Sequence, residues 1–246
     1  MPEISISLNF ILAVLIGFGS TLIQSLTGFG LSIVSTPLFL MVYDPKQVVL
    51  ILQVICVVIN IFFAVSIRRS IDFKFLGILF IGSVIGQPLG LLIFQFVPGN
   101  TLKIIVSLTI LIFLIVMQFY RRKIIETRLK TGMVGFLSGI LTTATSMGGP
   151  PLILYLANAE KDKYVMRATC IAYFALTNIS AIAIYLAGNT DFSFAVEQGL
   201  YLLPFCFVGL WAGNRLFPYL SQKMFRRLIF IMLLFSSLYT LYSAFH

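Results

Sequence analysis

The stretch "TSMGGPPLILYL" (Thr145–Leu156) decides how the chain is read. It sets two glycines beside two prolines, just behind a cluster of hydroxyl residues, within sequence that is otherwise apolar. Proline removes a backbone donor and blocks the preceding turn, and glycine permits an unwound chain. Backbone groups left unpaired in this way are tolerated at membrane depth only when buried in protein or lining a wet cavity.

The surroundings are of membrane type. Of the 246 residues, 59% are hydrophobic and 10% charged, and the mean hydropathy is +1.04; a soluble domain carries about 25% charged residues. The expected fold class is an all-α polytopic membrane protein with no soluble domain. Helical segments are expected at 6–26, 29–43, 47–67, 74–97 and 101–120, then at 131–147, 150–159, 164–187, 195–217 and 223–245. A full span needs roughly 20 apolar residues, so "PPLILYLANAE" (Pro150–Glu160) is too short and reads as a broken or re-entrant helix. The N-terminal run lacks the basic region of a cleavable signal and is too long for one, so it reads as the first helix.

Five segments fall on each side of a basic joint, giving a first repeat at 1–120, a cytoplasmic linker at 121–130 and a second repeat at 131–246. Sliding one half on the other by about 117 to 123 residues, with small gaps, aligns Gly28 with Gly148, Asn60 with Asn178 and Asp72 with Asp191. The same shift brings Gly86 and Gly90 onto Gly209 and Gly213, and Lys103 onto Arg226. Charge gives an independent test, because Lys and Arg gather in cytoplasmic joints. "RRSIDFK" (Arg68–Lys74) is basic and its partner "AGNTDFS" (Ala187–Ser193) is not; "VPGN" (Val97–Asn100) is uncharged, whereas its partner region holds Arg215, Lys223, Arg226 and Arg227. The reversal implies inverted topology, with an odd number of crossings per half and both termini outside. Five crossings satisfy this, as do three crossings and a re-entrant hairpin.

Paired interruptions in inverted-repeat transporters lie near the midplane with helix N-termini aimed at anionic groups. The first half has its own break in "QSLTGFG" (Gln24–Gly30). Around the two breaks stand neutral donors: Gln24, Ser25 and Thr27 with Gly28 and Gly30, and Thr142, Thr143, Thr145 and Ser146 with Gly148 and Gly149. Asn60 and Asn178 lie in mid-segment, where an amide either clamps the repeats or touches the substrate. Arg167 either grips an anion bidentately or snorkels from a helix end. Glu3, Asp44, Asp72, Glu126, Glu160, Asp162, Asp191 and Glu197 all lie at segment ends or in joints, which argues against a cation substrate and a buried carboxylate relay.

Cys56, Cys170 and Cys206 lie in apolar segments and do not suggest a disulfide framework or a zinc site. The single histidine is His246. No phosphate-binding "GxxxxGK[ST]" loop is present, and no catalytic constellation is found. The net charge of +9 is read as orientation signal, so nucleic acid is not an expected partner.

The duplicated breaks "GFGSTLIQSLTGFG" and "GFLSGILTTATSMGGPP", the "RAT" at Arg167–Thr169 ahead of Asn178, and "GNRLF" at Gly213–Phe217 resemble the TauE/SafE sulfite exporter family over nearly the whole chain. The resemblance implies an anion permease moving sulfite, thiosulfate or an organosulfonate across the inner (cytoplasmic) membrane. The earlier half departs from the family's glycine-then-proline break, with "GFG" at Gly28–Gly30 and Pro37 further on. The resulting expectation is a non-enzymatic secondary permease without cofactor or metal, with a small anionic substrate and the lipid bilayer as partners. A homodimer is compatible with the small-residue surfaces "GQPLG" and "GLWAG". A transporter of neutral or amino-acid-like metabolites and a non-transporting membrane subunit are the alternatives.

Overall fold

The computed structural model describes residues 8–28, 30–119, 127–157 and 163–216, with the single positions 234, 238, 241 and 242. Among the described residues nine α-helices follow in order: α1 (Leu8–Thr27), α2 (Gly30–Phe39), α3 (Pro45–Ser66), α4 (Phe73–Phe96), α5 (Gly99–Phe119), α6 (Arg128–Thr145), α7 (Gly149–Ala157), α8 (Lys163–Ala187) and α9 (Ser193–Leu216). No strand occurs among the described residues. The tenth expected segment lies almost wholly outside them, as do most of the basic linker and Phe217, Lys223, Arg226, Arg227 and His246.

The chain is a multi-pass membrane protein. α1, α3, α4, α9 and Tyr164–Ala187 of α8 are each long and apolar enough to cross a bilayer, whereas α2 and α7, with 10 and 9 residues, reach only about 15 Å at 1.5 Å per residue. Local chemistry sets the edges. Asp44 and Pro45 close the turns after α2 and open α3, because the residue before a proline avoids the helical region; α2 therefore ends at Phe39, short of the expected residue 43. Asp72 caps α4 by accepting from the Phe75 N–H at 3.0 Å, and Thr127 caps α6 by accepting from the Lys130 N–H at 3.3 Å.

Two glycine-lined seams hold the bundle. Along α4, a Cβ at Gly82, Gly86 or Gly90 would lie closer than 3.0 Å to the backbone of α6, at the carbonyls of Gly132, Phe136 and Ile140. Along α9, Gly209 and Gly213 press in the same way on the Phe18 and Leu22 carbonyls of α1. Small residues allow such close approach of membrane helices, where van der Waals contact drives association. In each seam the paired numbers rise together, so α4 runs parallel to α6 and α9 runs parallel to α1.

Contacts at the two ends fix the directions of the other helices. At one end the Asp72 N–H, before α4, donates to Thr169 of α8 at 3.0 Å. At the other, Lys46 of α3 donates to the Gln95 carbonyl of α4 at 3.0 Å, and the Gln95 amide donates to the Gly188 carbonyl after α8 at 3.1 Å. Tyr43 also meets Gln198 of α9 there, at 3.1 Å. α1 and α6 therefore enter the bundle from opposite ends.

α6 and α7 form a hairpin. Ser138 of α6 donates to the Gly148 carbonyl at 2.5 Å, and nearer the start of α6 the Thr131 hydroxyl lies 3.0 Å from that of Tyr155. As α7 proceeds it returns along the helix it came from. The second half thus contains a helical hairpin at the break.

Candidate functional site

Both breaks turn on a left-handed residue. Gly28, after α1, has φ +87° and its N–H donates to the Gln24 carbonyl at 2.6 Å. A Cβ there would sit 3.1 Å from the backbone and side chain of Arg167, so glycine answers both the backbone angle and the space. At the end of α6 the left-handed residue is Ser146, with φ 60°. Its N–H donates to the Thr142 carbonyl at 2.9 Å and that of Met147 to the Leu141 carbonyl at 3.3 Å, the paired bonds that close a helix C-terminus. The short helices meet just beyond: a Cβ on Gly149 would strike the Ile33 side chain of α2 at 2.5 Å.

The backbone corrects the register at the break. Gly28 and Ser146 are 118 residues apart, and the same spacing relates Phe18 to Phe136, Leu22 to Ile140 and Asn60 to Asn178. Glycine identity sets Gly28 against Gly148, whereas the shared left-handed backbone angle sets it against Ser146.

Between the breaks lies a small cleft lined by Gln24, Leu31, Ser32, Ile33, Cys56, Asn60, Thr142, Ser146, Gly148, Gly149, Phe174 and Asn178. The 118-residue spacing joins Gln24 to Thr142, Leu31 to Gly149, Cys56 to Phe174 and Asn60 to Asn178, so equivalent positions of the two halves face one space. That space admits the centre of a water-sized sphere over only ≈ 10 Å³, room for about one water.

Its chemistry is neutral. The Gln24 amide donates to the side-chain carbonyl of Asn60, which leaves Gln24 Oε1 without a partner, as is the Ser146 hydroxyl; both side chains are buried. Ser32 Oγ lies 3.2 Å from Cys56 Sγ, and Thr142 donates to the Ser138 carbonyl at 2.8 Å. The first turns of α2 and α7 border the cleft. The leading N–H groups of a helix have no partner within it, and each N-terminus acts as about half a positive charge. α2 presents N–H groups at Gly30, Leu31, Ser32 and Ile33. In α7, Pro150 and Pro151 have none, leaving Gly149 and Leu152.

Seven of the residues singled out from sequence line this cleft: Gln24, Asn60, Thr142, Ser146, Gly148, Gly149 and Asn178. Gly30 is the first residue of α2. Thr27 and Thr145 lie at the breaks but turn their hydroxyls back to the carbonyls of Ile23 and Leu141, at 2.8 and 2.9 Å. Arg167 lies outside the lining: it is 7% exposed, donates to the Ser25 carbonyl and, at 3.1 Å, to Asn214, and stands 4.8 Å from the Phe63 ring centroid. It is therefore neither snorkelling nor in the cleft; it ties α8 to the end of α1 and to α9.

Sequence reasoning missed Leu31, Ser32, Ile33, Cys56 and Phe174 as lining residues. The signal was present in helical spacing, since Cys56 and Phe174 each precede a lining asparagine by four residues and so share its face. Gln53 and Gln87, polar with no polar counterpart in the other half, prove to be clamps, donating to the carbonyls of Thr142 and Thr177 at 2.8 Å each.

A family model described as Sulfite exporter TauE/SafE matches residues 13–240 of the chain. The Probable inner membrane transporter protein TsaS of Comamonas testosteroni is 31% identical over 109 residues, which are 44% of this chain and 44% of that relative. The chain thus spans less than half the length of this relative in the match. No solved structure matches.

Proposed function

This chain belongs to the sulfite exporter TauE/SafE family, and on that premise we propose that it is a secondary permease moving a small sulfur-containing anion across the inner membrane. The observation that carries the reading is the cleft itself: two helix N-termini, hydroxyls and side-chain amides converge there from both halves. Neutral donors and bare backbone N–H groups bind oxyanions well. Gln24, Asn60, Ser146, Gly148, Gly149 and Asn178 are assigned to the solute, with Gly28 and Gly30 shaping the first break. Thr27, Thr145 and Arg167 position the break ends.

Residues 1–120 and 131–246 are read as inverted repeats joined by the linker 121–130. The recurring 118-residue spacing and the opposite entry of α1 and α6 support this. A cleft with room for one water must widen to take a sulfur oxyanion, and rocking of one repeat against the other would open it to either side in turn.

The test is flux of sulfite and ethanesulfonate through proteoliposomes containing the full chain, against empty vesicles, with Asn60→Ala and Asn178→Ala alongside. Anion flux that both variants reduce is expected. Absence of flux for either anion, or flux unchanged in both variants, would overturn the reading.

A further inference from the structure

We infer that the cleft selects singly charged oxyanions over doubly charged ones, an inference that rests on the permease reading above. Among the described residues the lining contains no charged side chain; its polar members are amides, hydroxyls and a thiol. Arg167, the buried cation beside the first break, is directed at the Ser25 carbonyl, Asn214 and the Phe63 ring. Within the described lining, the positive potential offered to a solute comes from the N-termini of α2 and α7, each equivalent to about half a charge. Together they amount to roughly one positive unit, which matches one negative charge. A second would be held in a dry, low-dielectric setting with no cationic side chain among the described lining residues to pair with it, since Arg167 exerts its field only from outside that lining.

Two buried groups in the lining sharpen the choice. The Ser146 hydroxyl, 3% exposed and without a partner, can rotate its proton toward a bare oxygen of the solute. Gln24 Oε1, in a residue 1% exposed and likewise without a partner, is an acceptor. It repels an additional bare oxygen and receives a hydroxyl. Donors on most sides with one acceptor describe a hydrogen sulfite ion; with the acceptor turned to an ordered water, they describe a sulfonate. Sulfate, thiosulfate and the sulfite dianion each carry one charge too many.

The experiment is a flux series on the full chain in proteoliposomes, corrected for empty vesicles, with ethanesulfonate, sulfite, sulfate and thiosulfate at external values from about pH 6 to about pH 8. Sulfite loses its last proton near neutrality within that window, whereas ethanesulfonate stays singly charged throughout. Among the described residues, the titratable groups near the cleft are Cys56 on α3, Cys206 on α9, and Arg167, Tyr173 and Tyr185 on α8. None is a carboxylate or histidine, and ethanesulfonate reports any titration of the protein itself.

Sulfite flux relative to ethanesulfonate is expected to fall as pH rises, roughly tenfold per unit once the dianion dominates. Sulfate and thiosulfate are expected to move at least about tenfold more slowly than ethanesulfonate. Sulfite flux that keeps pace with ethanesulfonate across the window, or thiosulfate moving as fast, would overturn charge selection while leaving the permease standing. No flux for any of the four would overturn both. Asn178→Lys adds a positive charge to the lining and is expected to raise the sulfate-to-ethanesulfonate ratio; an unchanged ratio in folded protein counts against the inference, and the wild-type series decides if the variant does not fold.

Discussion

Replacing Gly86 or Gly209 by alanine puts a methyl group onto a backbone carbonyl, and backbone cannot step aside as a flexible side chain can. In both seams the new Cβ would lie closer than 3.0 Å to its target, the Phe136 carbonyl in one and the Phe18 carbonyl in the other. Overpacking of this kind costs about 1–3 kcal/mol, offset by the ~0.5–1 kcal/mol that alanine gains over glycine within a helix. The net loss is about 1–2 kcal/mol. For a chain of this size each kcal/mol moves Tm by roughly 2–4 °C, so each variant is expected to melt about 2–8 °C lower.

Gly77 of α4 and Gly19 of α1 supply controls on the same helices, since a Cβ at either meets nothing within 4 Å. Their alanine variants are expected to melt about 1–4 °C higher. The assay is thermal melting of the detergent-solubilised full chain, followed by the size-exclusion peak that survives heating. Gly86→Ala melting like Gly77→Ala would refute close helix approach as the basis of the seam. Gly86→Ala and Gly209→Ala moving in opposite directions would refute the equivalence of the two seams.

Three further outcomes are expected. Ser146→Gly relieves a left-handed non-glycine residue where Ser146→Ala does not, so the glycine variant should melt higher by about 1 kcal/mol or ~2–4 °C, while both lose solute affinity; equal melting of the two would sink the strain argument. Arg167→Lys keeps the charge but cannot bridge the Ser25 carbonyl and Asn214 while facing Phe63, and should cost about 1–3 kcal/mol in the same melt; an unchanged Tm would show that the bridge carries no stability. Asn60→Ala and Asn178→Ala should each raise the KM for ethanesulfonate about 5–30-fold, the loss of roughly 1–2 kcal/mol of hydrogen bonding, and a rise in only one of them would mean that one half alone holds the solute.

The long helices were legible because their apolar lengths match the bilayer and their edges carry familiar chemistry. The starts of α3 and α4, at Pro45 and Phe73, fall within two residues of the expected 47 and 74. The break at Gly148–Pro151 was legible too, since glycine and proline leave few alternatives. Register at the first break was not, because letters conceal conformation: Ser146 takes the left-handed angle that Gly28 takes, and no rule of composition announces a serine there. The place of Arg167 was equally hidden. Its distance from a helix end allows snorkelling or gripping, and only the fold shows that the α1 terminus lies within its reach. Gln53 and Gln87 looked isolated because their partners are main-chain carbonyls, which every residue possesses and no sequence highlights.

The seam between α1 and α9 also governs biogenesis. α1 turns Thr21 and Ser25 toward Gly209 and Gly213, which belong to α9, a helix made much later in the chain. Until α9 emerges, that polar flank must wait in the membrane against lipid or a chaperone. A chain truncated between α1 and α9 is therefore expected to leave that flank unpacked and open to membrane quality control.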